Sequence, residues 1–138
     1  SLCKQLAPYA QKYNVVISLE PLNTGECNFI NSVAEGGEIV QAVNHENFRL
    51  LADIYHMLKE NESPANITKY GHLLYHTHIA EKNGRTAPGV NNEDFTPYFK
   101  ALKDVKYEGR IAIECSWKNL EEQAATALQT MRNQLASI

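Results

Sequence analysis

The feature that most constrains this chain is the regular return of short apolar runs: "VVISLEPL" (15–22), "FRLLADIYHM" (48–57), "HLLYHTHIAE" (72–81) and "RIAIECSW" (110–117). Each has the length of a strand and is rich in β-branched or aromatic residues. Helical patterns separate them. Ser32-Val-Ala-Glu35 has the spacing of a capping box and opens a helix to about Asn44. "SPANITKYG" reads as a short helix with Pro64 near its first turn and Gly71 as its stop. "EDFTPYFKALKDV" sets Phe95, Phe99, Leu102 and Val105 at helical spacing, and Gly109 ends the connection to the last run. "LEEQAATALQTMRNQLASI" carries Leu120, Ala124, Leu128 and Met131 on one stripe. The opening "SLCKQLAPYAQKYN" reads as a helix already under way, as if the chain starts partway through a longer protein.

Such alternation argues for a parallel sheet covered by helices. A length of 138 residues suits a single domain spanning 1–138. The four βα units make half of an eight-stranded barrel, which typically needs about 250 residues. The competing arrangement, a doubly wound open sheet, should carry a glycine-rich phosphate loop after an early strand. Gly36-Gly37 instead lies inside a helical pattern, and Gly84 and Gly89 fit no G-x-G-x-x-G spacing. The expected fold is α/β, with four βα units as half of a (β/α)8 barrel.

Composition narrows the partners. Lys and Arg number 13 against 16 Asp and Glu, a net charge of −3 with no basic block, so nucleic acid is not expected as a partner. Cys3, Cys27 and Cys115 are odd in number and show no C-x-x-C spacing, which suggests neither a disulfide framework nor a thiolate zinc site and fits a reducing cytoplasm. No segment has the layout of a signal peptide or the length of a membrane span, so no membrane partner is expected.

Every apolar run carries an ionisable residue at or near its C-terminal end: Glu20, Asp53, His78 and Glu114. A charge on a buried strand is costly unless it is paired or bound to a metal. One such carboxylate is ordinarily a rim salt bridge or a loop cap. Four at matching ends converge on the rim where catalytic groups of parallel sheets gather. Oxygen and nitrogen donors without sulfur suit one divalent ion, Mn²⁺, Co²⁺ or Mg²⁺, better than structural zinc. By alternation Glu20 shares a face with Ser18 and Val16, and Glu114 with Ala112, small or polar neighbours that suit a crowded barrel interior. Val15, Ile17, Leu19, Ile111 and Ile113 then face the outer helices. His76 and His78 share one face; His78, nearer the rim, is the favoured ligand, and His76 is either a ligand or a hydrogen-bonded core histidine. His56, three residues beyond Asp53, is expected in the turn just past the rim, touching a ligand. His45 and His72 have no evident role.

Taken in order, "SLEPLN", "GECNFINSVAE", "LLADIYHM", "HTHIAEKNGRTAPG" and "YEGRIAIECSW" resemble the C-terminal half of the xylose isomerase-like TIM-barrel family. Within it they are most similar to the sugar epimerases and isomerases related to tagatose and psicose 3-epimerase. The phrase "HIAEKNGRTAPG" is also similar to general sugar-phosphate isomerase/epimerase members. The likeness covers essentially the whole chain. It implies that Glu20, Asp53, His78 and Glu114 bind one divalent metal, zinc being possible, and that Glu26, His56 and Arg85 contact a sugar or sugar phosphate. It also implies that the barrel is completed by a missing N-terminal half or by a second copy.

The chemistry explains the residue types. A C–H proton beside a carbonyl is too weakly acidic for a carboxylate at neutral pH unless the developing enediolate is stabilised by a metal. Glu20 and Glu114, on the first and last strands, are the expected acid and base of such a proton transfer. Return of the proton to the same carbon gives epimerisation, and to its neighbour aldose–ketose isomerisation. Dehydration of an inosose-like ketone would use a similar site. A metal phosphodiesterase of the endonuclease type would need several zinc ions and a basic face, against which five histidines and an acidic chain speak. The non-enzymatic reading is an inactive half-barrel fragment that pairs with itself through its open sheet edges.

Overall fold

The computed structural model describes residues 2–138. The elements are α1 (Leu2–Lys12), β1 (Ile17–Leu19), α2 (Val33–Val43), β2 (Phe48–Asp53), α3 (Ile54–Lys59), α4 (Ala65–Tyr70), β3 (Leu74–Ile79), α5 (Thr96–Asp104), β4 (Ile111–Ile113) and α6 (Leu120–Ala136). The strands form one parallel sheet in the order β1-β2-β3-β4. A doubly wound sheet reverses its strand order at a switch point. Here the order follows the chain without reversal, which is the winding of half a (β/α)8 barrel.

The core lies between sheet and helices. Phe48, Leu50 and Ala52 from β2 meet Val33 and Val40 of α2, Ile67 and Tyr70 of α4, and Phe99 and Leu102 of α5. Ile17, Leu19, Ile111 and Ile113 pack against this cluster as expected. Val15 does not; it precedes β1 and is exposed.

Local chemistry explains where the runs stop. β1 ends at Leu19, and Pro21, which has no N–H for the ladder, packs against α2 instead. The run 48–57 is not one strand. The Asp53 side chain accepts the Tyr55 N–H at 2.8 Å and so caps a helix that begins at Ile54, which turns "IYHM" into α3. His56 therefore sits in a helix and is buried, not in a turn past the rim.

The N-terminus of α2 differs from a reciprocal capping box. Ser32 Oγ accepts the Glu35 N–H at 3.1 Å, but Glu35 takes the N–H of Asn31 at 2.6 Å rather than that of Ser32. Glu62, from the loop before α4, accepts from Val33 N at 3.0 Å and Ala34 N at 3.3 Å. Gly36 and Gly37 let α2 lie close to its neighbours. A Cβ at Gly36 would stand 2.7 Å from Pro21 Cγ and 2.9 Å from Leu50 Cδ1, and one at Gly37 would enter the Tyr70 ring.

The stripe expected on α6 is rotated. Ala127 and Met131 are buried, whereas Leu120 and Leu128 are exposed. The cause is polar: Gln134 accepts the Phe95 N–H at 2.8 Å and donates to Glu93 O at 2.9 Å, which pins the Ala127–Met131–Gln134 face inward.

One irregularity sets the level of the rim. β2 and β3 pair as Leu50↔Leu74 and then Leu51↔His76, leaving Tyr75 as an extra residue in β3. The bulge lets Leu74 join the helix-side core while His76 and His78 stand beside Leu51 and Asp53. No helix among the described residues is long and apolar enough to cross a membrane.

Candidate metal and substrate site

Asp53 pairs directly with His78, and His78 with Ala112, so Glu114 follows two residues on, just past the end of β4. Glu20 comes just past the end of β1. The result is that Glu20, Asp53, His78 and Glu114 each offer one ligand atom, all within 4.8 Å of one another. His78 Nδ1 lies 3.3 Å from Glu20 Oε1 and 3.2 Å from Glu114 Oε2. Glu20 Oε1 and His78 Nδ1 are buried and have no hydrogen-bond partner. Buried polar atoms are rarely left so.

The electrostatics ask for positive charge. Burial pushes the Asp53 carboxyl up to about 6; Glu20 adds to this, while the Tyr55 N–H, Arg85 and His78 oppose it. Burial likewise raises Glu20, with repulsion from Glu114 adding and the attraction of His78 opposing. Three carboxylates and one imidazole, partly desolvated and crowded, fit a hard divalent cation, which relieves the repulsion and takes up the orphaned lone pairs.

His56 approaches from α3, 4 % exposed. The backbone N–H of Asn23 donates to its Nδ1 at 3.1 Å. Nδ1 is therefore the acceptor, and in the neutral ring Nε2 carries the proton. Burial holds this histidine below its ordinary pKa, which favours that neutral form. Nε2 is buried without a partner, 3.5 Å from Asp53 Oδ2 and 4.0 Å from Glu20 Oε1. It is a donor aimed into the cluster. Asn23, itself buried, places its Nδ2 at 2.8 Å from both Glu26 Oε1 and His56 Nδ1.

Arg85 enters from the loop between β3 and α5. Gly84 and Arg85 both have positive φ, 70° and 50°, and the tight turn they form reverses the chain. Its Nη2 lies 2.5 Å from Glu114 Oε2 and 3.4 Å from Asp53 Oδ2, and Nη1 is 3.7 Å from Glu26 Oε2. The guanidinium carbon sits 4.6 Å from the centre of the Tyr55 ring. All seven residues expected at the site, Glu20, Glu26, Asp53, His56, His78, Arg85 and Glu114, thus meet in one cluster. His76 stays outside the ligand group; its ring stands edge to face with that of His78 at 5.0 Å.

Asn23, Tyr55 and Glu81 are neighbours that the sequence reading passed over. Asn23 closes the quoted "SLEPLN", but nothing local says that its amide would reach His56, 33 residues away. Glu81 lies two residues past the end of β3 and is fully buried, held by hydrogen bonds from the loop that follows it.

The model of the family described as xylose isomerase-like TIM barrel matches residues 2–134. The chain belongs to this family. Among curated members, L-ribulose 3-epimerase of Methylomonas sp. (strain DH-1) is 32 % identical over 149 residues, covering 94 % of this chain and 52 % of the relative. D-psicose 3-epimerase of Ruminiclostridium cellulolyticum is 32 % identical over 112 residues, covering 80 % of this chain and 38 % of the relative. The crystal structure of D-psicose 3-epimerase with D-tagatose from Clostridium cellulolyticum H10 superposes with a TM-score of 0.86 at 28 % identity, over 96 % of this chain and 53 % of that one. The chain therefore spans about half the length or less of the relatives it matches.

Proposed function

We propose that the complete protein is a divalent-metal-dependent sugar epimerase or isomerase that moves a proton on a carbon next to a carbonyl. The observation that carries this reading is the convergence of Glu20, Asp53, His78 and Glu114 within 4.8 Å, beside a buried, unpartnered His56 Nε2–H. Glu20, Asp53, His78 and Glu114 would hold one ion, Mn²⁺, Co²⁺ or Mg²⁺ by the hardness of the donors, and that ion supplies stabilisation of negative charge on the carbonyl and adjacent hydroxyl oxygens.

The chain's own groups do the rest. One of Glu20 and Glu114 takes the C–H proton and the other delivers a proton to the opposite face of the same carbon, so the atoms balance and one centre is inverted. His56 Nε2–H donates to a substrate oxygen. Glu26 accepts from a sugar hydroxyl, and Arg85 donates to oxygens on the side of Glu114. The family members named above act on ketoses at carbon 3, so a free ketose or its phosphate is the first substrate class, with carbon 3 as the first reacting position.

The barrel is completed by four further βα units on an N-terminal segment. α1 leaves Leu2, Leu6 and Tyr9 exposed at a spacing of four and three that puts them on one helical stripe, and Tyr13, just past its end, is exposed as well. Leu128 and Leu135 of α6 are exposed at a spacing of seven. β1 and β4 are the two open sheet edges. Residues 1–138 act as one domain within that barrel, and its three free cysteines suit a reducing cytoplasm.

The test is turnover of D-psicose and D-tagatose by the intact protein, stripped with chelator and reloaded with Mn²⁺. E20Q and E114Q should each lower kcat by at least about a hundredfold. Wild-type turnover by either variant refutes the mechanism.

A further inference from the structure

Glu81 is a charged residue at a buried position just past the end of β3. It lies two positions past Ile79, the last residue of β3, at the start of the loop that leads to α5. It is fully buried. What meets its carboxylate is the following loop. Thr86 Oγ1 donates to Oε2 at 2.7 Å and Asn91 N at 2.6 Å; Gly89 N donates to Oε1 at 2.9 Å and Glu93 N at 3.3 Å. The Glu81 N–H in turn donates to Thr86 O at 2.9 Å. Burial pushes the carboxyl up, but these donors outweigh it and hold Glu81 below the usual range, so it is ionised at neutral pH.

A single carboxylate thus gathers residues 86 to 93 around itself and closes the turn 81–86 in which Arg85 lies. Arg85 is fixed at its other side by the Ser116 N–H, which donates to its carbonyl at 2.7 Å. With both flanks of its backbone held, the guanidinium lies against Asp53, Glu114 and Glu26.

We propose that Glu81 is a positioning residue: it folds the loop between β3 and α5 into one shape and thereby aims Arg85 at the substrate. The proposal rests on the reading of Arg85 as a substrate contact. The Glu81 carboxylate is hydrogen-bonded within its own loop and to no candidate metal ligand, so its removal should weaken sugar binding and leave metal binding alone.

The experiment compares E81Q, R85A and E81Q/R85A in the intact protein, with D-psicose as substrate and Mn²⁺ as metal. E81Q should raise KM about tenfold or more, because a displaced contact forfeits binding held in ground and transition states alike. Its effect should vanish in the R85A background, as expected for a residue that acts through another. The Mn²⁺ dissociation constant should stay within about twofold of wild type, since each tenfold change needs about 1.4 kcal/mol at the ligands. Hydrogen–deuterium exchange should speed up in peptides from 82–93 and not in those from β2 and β3. If E81Q does not fold, T86V, which removes one donor to Glu81, is read in the same way. Multiplying losses in E81Q/R85A, or faster exchange spread through the sheet, overturn the proposal and leave the substrate reading of Arg85 standing. An R85A variant with unchanged KM overturns that reading and this proposal with it.

Discussion

Replacing Asp53 by Asn tests the idea that the site stores electrostatic strain for a cation. The carboxyl is 1 % exposed and lies beside Glu20, and its pKa rises from an ordinary 3.8 to about 6. At 1.36 kcal/mol for each pKa unit, that rise corresponds to about 3 kcal/mol of destabilisation of the folded, metal-free protein at neutral pH. The sign follows from proton binding. Between pH 4 and 6 the folded state holds the Asp53 proton more tightly than the unfolded chain, so stability falls as pH rises through that window and stays lower above it. Asn keeps an oxygen to cap Tyr55 N and removes the charge. Urea denaturation in chelator should therefore show D53N more stable than wild type at pH 7, by up to about 3 kcal/mol, with the two converging near pH 4. Added Mn²⁺ should reverse the ranking, because it stabilises only the protein that binds it. Parallel curves for the two proteins across this pH range, or equal stabilisation by Mn²⁺, would refute the reasoning.

Other perturbations address separate parts of the structure. G37A forces a Cβ into the Tyr70 ring and should cost about 1–3 kcal/mol, read by thermal or urea denaturation. E62A leaves the Val33 and Ala34 N–H groups without their acceptor and should cost about 1 kcal/mol by the same measurement, with faster amide exchange in the first turn of α2. H56Q removes the fixed Nε2–H donor and should lower kcat/KM at least about tenfold while Mn²⁺ affinity, measured by calorimetry, changes little.

Much of the fold was legible because periodicity reports burial. Strands of period 2 and helices of period 3.6 alternate along the chain, and parallel winding follows from connections of that length. The boundaries were less legible where one side chain decides them. Nothing in "FRLLADIYHM" distinguishes a ten-residue strand from a strand and a helix until Asp53 turns back to cap Tyr55. The buried face of α6 departs from its apolar stripe for a similar reason: Leu128 is the better apolar residue, but Gln134 and its two bonds to the α5 entry set the rotation.

Sequence alone determined which residues stand at strand ends and which chemistry they offer: three carboxylates and an imidazole, oxygen and nitrogen donors without sulfur, at the same place in successive units. It could not determine their level. That depends on the pairing register, which the bulge at Tyr75 shifts so that Asp53 stands opposite His78. Nor could it reveal the polar supports, Asn23 behind His56 and Glu81 beneath the Arg85 loop, because hydrogen bonds between segments arise only when the fold brings them within about 3 Å. Type and spacing are local properties of the chain, whereas convergence and orientation belong to the packed sheet and its loops.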